Sequence, residues 1–434
     1  MAAEQNNPVY ADLLNAYDEK LTHSGINGER VARRLYELSR IGYTEPGGVR
    51  RPGLSAEEKQ AKALVKQWME EAGLAVSEDG AGNVFGRLEG KKGSAKAIAS
   101  GSHVDSVPNG GNFDGPLGVL SALEVAESWK ETGYVPEKPY EVIIFTDEEG
   151  SRFNSGLTGS RAVTGDIPEA EMAQLRDYDG KMLEQVLLEY GSTLSGFKSA
   201  VRDLDELELF VEVHIEQGKR LEAAQQPVGI VSGIAGPAWL EMEWTGQAGH
   251  AGNTPMTGRK DPLAAAAALI QRIPDIPGEV SDTAVATVGK LEVAPNGINV
   301  IPEKVIMHAD IRDIQEETRD RLLERIIAEA EEVAAGRGIR LDIKQNTRIM
   351  PVPIGGELQA SLARSLESFG IEPTYIPSGA GHDAMILGRH LPVAMLFVRS
   401  RDGISHNPKE WSSLNDCVLG IHVLKDFIEK RMDS

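Results

Sequence analysis

The chain has 434 residues, about three times the length of a typical domain, which predicts more than one domain. Hydrophobic residues make up 41% and charged residues 26%, as in ordinary globular proteins, and the net charge is −21. Such an acidic balance argues against binding to nucleic acid or to an anionic membrane surface. A single cysteine, Cys417, excludes an intrachain disulfide. No run of about 18 apolar residues predicts a membrane span, and no leader pattern is present, so we expect a cytoplasmic protein.

Residues 1–232 alternate between helical patterns and short apolar strands. A helix is predicted over 61–72, where it ends at Gly73. The apolar segments 97–99 and 142–145 each lead into a polar, glycine-rich loop, which is typical of buried strands in a parallel sheet. We therefore predict an α/β fold with a mainly parallel sheet.

Residues 233–346 follow a different order and are predicted to be an inserted domain, after which the first domain resumes over 347–434. The order strand, helix, strand, strand, helix, strand is that of an α+β, ferredoxin-like fold. Asn296-Gly297 is interpreted as the hairpin turn between the second and third strands. The predicted elements are the strands 239–245, 284–293, 304–311 and 339–343 and the helices 263–273 and 322–333.

Four apolar strands of the first domain each end at or before a side chain that could bind a metal ion. Because the carboxyl ends of parallel strands lie along one rim of a sheet, we expect these side chains to converge. Three imidazoles and two carboxylates provide the nitrogen and oxygen ligands that zinc, manganese, cobalt or nickel accept. The five candidate ligands are His103, Asp114, Glu149, His214 and His406.

Five ligands are more than one catalytic ion needs, since three suffice. Two ions that share a carboxylate would use all five, and Asp114 is the natural bridge because its neighbouring glycines allow close backbone approach. Glu149 would then bind metal, while Glu148 stays free as the general base for a water molecule. Asp105, two residues after His103, can reach the second nitrogen of that imidazole and set its tautomer.

Two of these motifs have other interpretations when they are taken alone. Asp147-Glu148-Glu149 could be a solvated acidic turn, but it follows an apolar strand directly. The glycine-rich loop 109–118 could suggest a phosphate site, but it has neither the Gly-Lys-Ser/Thr ending nor the GxGxxG spacing. The convergence of all the motifs favours the metal site.

These motifs resemble the amidase, hydantoinase/carbamoylase family, a branch of the two-metal aminoacylase and carboxypeptidase G group. The likeness extends from about Gly28 to Leu424. The matching segments, in order, are GSHVDSVPNGGNFDGPLG (101–118), FTDEEGSRF (145–153), HIEQG (214–218), GHAG (249–252), NVIP (299–302) and SHNP (405–408).

The resemblance implies an amidohydrolase that removes the carbamoyl group of an N-carbamoyl-L-amino acid, releasing the L-amino acid, ammonia and carbon dioxide. Allantoate and N-carbamoyl-β-alanine are alternative substrates that the sequence does not rank. An aminoacylase or peptidase is less favoured, because peptidase relatives usually carry a carboxylate where His214 stands. The family's ligand sets imply one ion at His103, Asp114 and His214 and a second at Asp114, Glu149 and His406, with Glu148 as the base.

The resemblance also implies residues that bind the small ureido substrate. Gln217 and His382 would contact it near the metals. From the inserted domain, Asn299 would bind it, His250 would stabilise the oxyanion, and Arg312 would pair bidentately with the amino-acid carboxylate. Family members of this kind are homodimers through the inserted domain, which implies a lid and dimerisation role for residues 233–346.

Overall fold

A computed structural model describes residues 8–45 and 47–433. The helices are α1 (Pro8–Leu14), α2 (Gly28–Ser39), α3 (Ala56–Ala72), α4 (Pro116–Thr132), α5 (Thr158–Thr164), α6 (Glu169–Met172), α7 (Leu183–Tyr190), α8 (Leu194–Lys198), α9 (Arg220–Ala224), α10 (Pro262–Arg272), α11 (Glu316–Arg337), α12 (Gly356–Ser368), α13 (Asp383–Leu387) and α14 (Leu414–Met432). The strands are β1 (Tyr43–Thr44), β2 (Gly48–Val49), β3 (Ala75–Glu78), β4 (Val84–Leu88), β5 (Ala97–His103), β6 (Tyr140–Phe145), β7 (Leu207–Ile215), β8 (Val228–Ile234), β9 (Gly236–Thr245), β10 (Gly249–His250), β11 (Val285–Ala294), β12 (Val300–Ile301), β13 (Lys304–Asp313), β14 (Arg340–Arg348), β15 (Val352–Pro353), β16 (Tyr375–Ser378) and β17 (Val393–Val398).

The described chain divides into two compact units. The second unit comprises Ser232–Pro353 and Pro377–Gly381, and the first comprises the remaining described residues. The domain boundaries drawn from the sequence stay predictions. So do the catalytic role of residues 1–232 and 347–434 and the lid and dimerisation role of residues 233–346.

The first unit contains a mixed sheet with the strand order β8-β17-β7-β5-β6-β4-β3, in which β16 also pairs with β8. The four central strands β17, β7, β5 and β6 are parallel, and their residues are almost entirely buried. The predicted α/β class is confirmed, whereas the sheet is parallel only at its centre. At one margin, β3 and β4 are joined by the short segment 79–83, which permits only antiparallel pairing because a parallel pair requires a long crossover.

Two long helices cover the central strands. Helix α4 begins with Pro116 at its first position and ends at Gly133, and it packs against β5 and β7. Helix α14 packs on α4 and contains Cys417, which is fully buried. Among the helices of the described residues, none is both long enough and apolar enough to cross a bilayer.

The second unit has the antiparallel strand order β11-β13-β9-β14, which is the ferredoxin-like arrangement predicted from the sequence. Alternate residues of β9 and β13 are buried against α10 and α11, so one face of the sheet carries the core of the unit. The carboxylate of Asp261 caps α10 by accepting hydrogen bonds from the backbone N–H groups of Leu263 and Ala264, and Pro262 occupies the first helical position.

The connection between β11 and β13 contains the predicted turn residues Asn296-Gly297 and, in addition, a short strand that the sequence did not predict. It runs over residues 295–303 and includes β12, which pairs antiparallel with β10. The turn at Asn296-Gly297 therefore does not join the strands directly. The backbone of β10, far away in sequence, offers β12 its hydrogen-bonding partners, and local turn signals contain no information about such a pairing.

Candidate metal centre

The parallel centre of the first sheet brings the predicted ligands to one rim. His103 is the last residue of β5, His214 is the next-to-last residue of β7, and Glu149 follows shortly after β6. His406 lies in the loop after β17, with a left-handed backbone conformation at φ 53°. Because these four strands are neighbours and run in the same direction, their carboxyl ends meet at a single place.

Asp114 lies between the three histidines, and its two carboxylate oxygens face different ones. Oδ1 is 3.1 Å from His214 Nε2 and 3.6 Å from His103 Nε2, whereas Oδ2 is 3.5 Å from His406 Nε2. The same His406 nitrogen is 3.2 Å from a carboxylate oxygen of Glu149. Two groups of potential ligands result, each with its ligand atoms within 4.8 Å of one another: His103, Asp114 and His214, and Asp114, Glu149 and His406.

Several of these ligand atoms are buried without a hydrogen-bond partner. Among the described residues, none forms a hydrogen bond with Nε2 of His103, Nε2 of His214 or Oε1 of Glu149. An unsatisfied buried polar atom costs about 1–3 kcal/mol, so such atoms call for a partner. A divalent cation suits them, since imidazole nitrogens and carboxylate oxygens are its usual protein ligands. The residues present therefore fit divalent metal binding.

Backbone carbonyls orient both buried imidazoles. His103 Nδ1 is 3.2 Å from the carbonyl oxygen of Asp105, and His214 Nδ1 is 2.9 Å from that of Ile215. Each Nδ1 therefore carries the proton that it donates, which leaves the lone pair of Nε2 directed at the site. Both rings can therefore present Nε2 to a metal ion.

The Asp105 carboxylate makes more contacts than the sequence indicated. Its Oδ1 lies 3.3 Å from His103 Nδ1. It also accepts hydrogen bonds from the backbone N–H groups of Glu148 and Glu149, at 3.1 and 3.2 Å. One buried carboxylate thus supports an imidazole and, at the same time, fixes the turn that carries both candidate glutamates.

Glu148 lies beside the ligands without belonging to either group. Its Oε2 is 3.6 Å from His103 Nε2. Burial raises the pKa of Glu148 well above the usual value; the charge of His103 opposes this and the charge of Glu149 adds to it. A buried carboxyl group whose pKa is raised can accept and return a proton near neutral pH, which is what a general base must do.

Two predicted substrate residues adjoin the same cluster. Gln217 has a left-handed backbone at φ 56°, and its Nε2 donates to Asp114 Oδ2 at 2.7 Å. The ring of His382 packs against that of His214 with centroids 4.5 Å apart, and burial lowers the pKa of His382 well below its usual value. His382 is therefore neutral at physiological pH.

Sequence reasoning missed two residues that contact Asp114. The Ser405 hydroxyl is 2.7 Å from Asp114 Oδ2, and Glu410 Oε1 accepts the backbone N–H of Asp114 at 3.1 Å. Burial, and then the charge of Asp114, raises the pKa of Glu410 to about 7. Ser405 stands in the matching segment SHNP and Glu410 lies close to His406 in sequence, but neither signal shows that they contact a loop almost 300 positions earlier.

The other predicted substrate residues belong to the second unit. The Asn299 carbonyl accepts the N–H of Ala251, next to His250 on β10, at 3.0 Å. Arg312 lies on β13, where its Nε and Nη2 donate to the two oxygens of Asp310 at 2.9 and 2.7 Å. Their roles toward a substrate stay predictions.

Comparison with known proteins puts the chain among the hydrolases. The chain belongs to the peptidase family M20/M25/M40, whose family model matches residues 99–430.

Individual relatives narrow the reaction class. An N-carbamoyl-L-amino acid amidohydrolase of Geobacillus stearothermophilus is 45% identical over 399 residues, which cover 92% of this chain and 97% of that one. An allantoate amidohydrolase of Bacillus subtilis is 38% identical, with coverage of 91% and 95%. The crystal structure of a hydantoinase/carbamoylase family amidase from Burkholderia multivorans matches with a TM-score of 0.88 at 35% identity, covering 94% of this chain and 98% of that one. The family predicted from the motifs is confirmed, and the chain is an amidohydrolase.

Replacing Gly115 with alanine tests whether His103 must keep its place. Gly115 has φ 82°, and a Cβ there would lie 2.5 Å from the His103 ring. We expect Gly115→Ala to weaken the binding of divalent ions by at least about tenfold, as displaced ligands and supports do. Isothermal titration of the metal-stripped protein measures this.

Gly133→Ala is the matched control, because Gly133 also has a positive φ of 69° but has nothing within 4 Å of an added Cβ. It shares the backbone strain, so its metal affinity is expected to equal that of the wild type. Equal affinity in both variants would contradict the assigned position of His103.

Proposed function

We propose that this chain hydrolyses the carbamoyl group of N-carbamoyl-L-amino acids, using two divalent ions held by the five clustered ligands. The observation that carries the proposal is the pair of ligand groups that share Asp114, with Glu148 beside them. The 45% identity to an amidohydrolase of that specificity supports the choice of substrate. The net reaction takes up one water molecule and releases the L-amino acid, ammonia and carbon dioxide.

His103, Asp114 and His214 would hold one ion, and Asp114, Glu149 and His406 the other. When bound, such ions lower the pKa of a water molecule and polarise a substrate carbonyl. Glu148 accepts the proton of the attacking water and later gives it to the leaving nitrogen. Asp105 keeps the Glu148 backbone and the His103 ring in position during both proton transfers.

The second unit would recognise the rest of the substrate. Arg312 donates to Asp310 through Nε and Nη2 and to the carbonyl of Gly379 through Nη1 at 2.6 Å. Among the described residues, these contacts use one hydrogen of each terminal nitrogen, so a second hydrogen remains on each for a substrate carboxylate. His250 would stabilise the oxyanion, and Asn299, Gln217 and His382 would contact the substrate.

Allantoate is the second candidate substrate. The 38% identity to an allantoate amidohydrolase over 91% of this chain favours it, and allantoate also contains ureido groups and a carboxylate. N-carbamoyl-β-alanine remains a further alternative, and an aminoacylase or peptidase activity is less favoured. The identity of the metal among zinc, manganese, cobalt and nickel, the homodimer through residues 233–346 and the cytoplasmic location also stay predictions.

A panel of substrates tests the proposed activity. We expect ammonia release from N-carbamoyl-L-methionine to exceed that from N-carbamoyl-β-alanine and from allantoate, measured as kcat/KM. N-acetyl-L-methionine and a dipeptide, assayed by amine release, are the controls for aminoacylase and peptidase activity. Faster turnover of either control would contradict a ureido substrate, and a preference for allantoate would replace the first candidate with the second.

Glu148→Gln tests the general base. The amide keeps the shape of the side chain but cannot accept the proton, so we expect kcat to fall by about 100- to 10,000-fold while both ions stay bound. Glu149→Gln is the comparison, and for this variant we expect the loss of one ion instead. Metal analysis and steady-state kinetics separate the two effects. A Glu148→Gln enzyme with a near-normal rate would exclude Glu148 as the base.

Arg312→Ala tests recognition of the substrate carboxylate. A hydrogen bond to a charged group contributes about 1.5–3 kcal/mol, so we expect kcat/KM to fall by at least about tenfold with metal content unchanged. Arg340→Ala is the control, because Arg340 also lies on the sheet of the second unit and pairs with an aspartate, Asp342. An unchanged KM and kcat in Arg312→Ala would remove Arg312 from the substrate site.

A further inference from the structure

We propose that Glu410 is a positioning residue for the second ion, acting by holding the backbone and one carboxylate oxygen of Asp114. This inference rests on the proposed function, since it concerns the ion assigned to Asp114, Glu149 and His406. Glu410 belongs to neither ligand group.

Glu410 is 3% exposed and holds the Asp114 loop by two hydrogen bonds, with a third contact to Ser405. Its Oε1 accepts the backbone N–H groups of Phe113 and Asp114, at 2.9 and 3.1 Å. Its Oε2 lies 2.8 Å from the hydroxyl of Ser405. A carboxylate that binds two consecutive N–H groups fixes the direction of that peptide, and so of the Asp114 side chain.

Packing on both sides of the carboxylate leaves the loop little freedom to move. A Cβ added at Gly111 would lie 2.1 Å from Glu410 Oε1, so the loop backbone approaches the carboxylate directly. The next residue, Trp411, packs edge-on against Phe113, with ring centroids 5.6 Å apart. The contact between segments 111–114 and 410–411 is therefore close-packed as well as polar.

The contacts around Glu410 concern the site of the second ion more than that of the first. Ser405 and Gln217 both place their polar groups 2.7 Å from Asp114 Oδ2, the oxygen that faces His406. Oδ1, which faces His103 and His214, has neither contact. Because Ser405 also contacts Glu410, loss of Glu410 disturbs a residue beside Oδ2 and none beside Oδ1. The segment that contributes His406 thus also positions the carboxylate oxygen opposite it.

Stepwise metal binding to the chelator-stripped protein tests the proposal, with Co²⁺ as the probe in isothermal titration. We expect Glu410→Ala to lower the affinity for the second ion by about 10- to 100-fold, the usual effect of removing a residue that supports a ligand. The first ion should change less. His406→Ala identifies which step belongs to the second ion, because His406 is a ligand in that group alone.

Glu410→Gln is the conservative variant. Its amide oxygen can still accept both backbone N–H groups, and its NH2 group can donate to Ser405, so we expect both affinities to stay near those of the wild type. Glu124→Ala controls for general destabilisation. Glu124 is also buried, accepts a backbone N–H from Asn27 at 2.7 Å and lies in α4, so it should lower the melting temperature without changing Co²⁺ affinity.

The possible results separate the inference from the function beneath it. A wild type that binds two ions, with both affinities unchanged in Glu410→Ala, overturns the inference alone. The inference is also overturned if Glu124→Ala or Glu410→Gln lowers the affinity for the second ion as much as Glu410→Ala does. If Glu410→Ala does not fold, the Ser405→Ala variant is measured instead. We expect it to bind the second ion more weakly, and a normal affinity for that ion in Ser405→Ala refutes the proposal. A wild type that binds no divalent ion overturns the proposed function itself.

Discussion

The position of one carboxylate, that of Asp114, governs the arrangement of the site. Burial alone would raise its pKa, but His214, His103 and His406 surround it and hold the pKa well below the usual range. Its oxygens are divided between two groups of ligands, so each group depends on the same side chain. Three strands and two loops must be correctly placed before those histidines can meet around Asp114.

Backbone N–H groups, rather than cationic side chains, hold the carboxylates that support the ligands. Asp105 binds the N–H groups of Glu148 and Glu149, and Glu410 binds those of Phe113 and Asp114. Neutral donors stabilise these buried charges without cancelling them. The carboxylates are therefore left able to attract divalent cations. Positioning of the ligands and attraction of the ions thus come from the same buried groups.

The fold could be predicted where its signals are local. Apolar strands followed by polar loops predicted the central parallel strands, and the order of elements predicted the ferredoxin-like unit. The margins of the first sheet could not be predicted, because β3 and β4 are short and much less apolar. Nor could the pairing of β10 with β12, since it joins segments about 50 residues apart and depends on the surrounding structure.

The sequence by itself determined the chemistry: which histidines and carboxylates follow the strands, and that Glu148 stands next to a candidate ligand. Only the tertiary structure decided which ligands face each oxygen of Asp114 and which residues support them. Asp114 Oδ1 and Oδ2 face different imidazoles, and Glu410 and Ser405 reach Asp114 across almost 300 positions. Residue type and strand order are local properties of a chain, whereas the direction of a carboxylate oxygen depends on packing between distant segments.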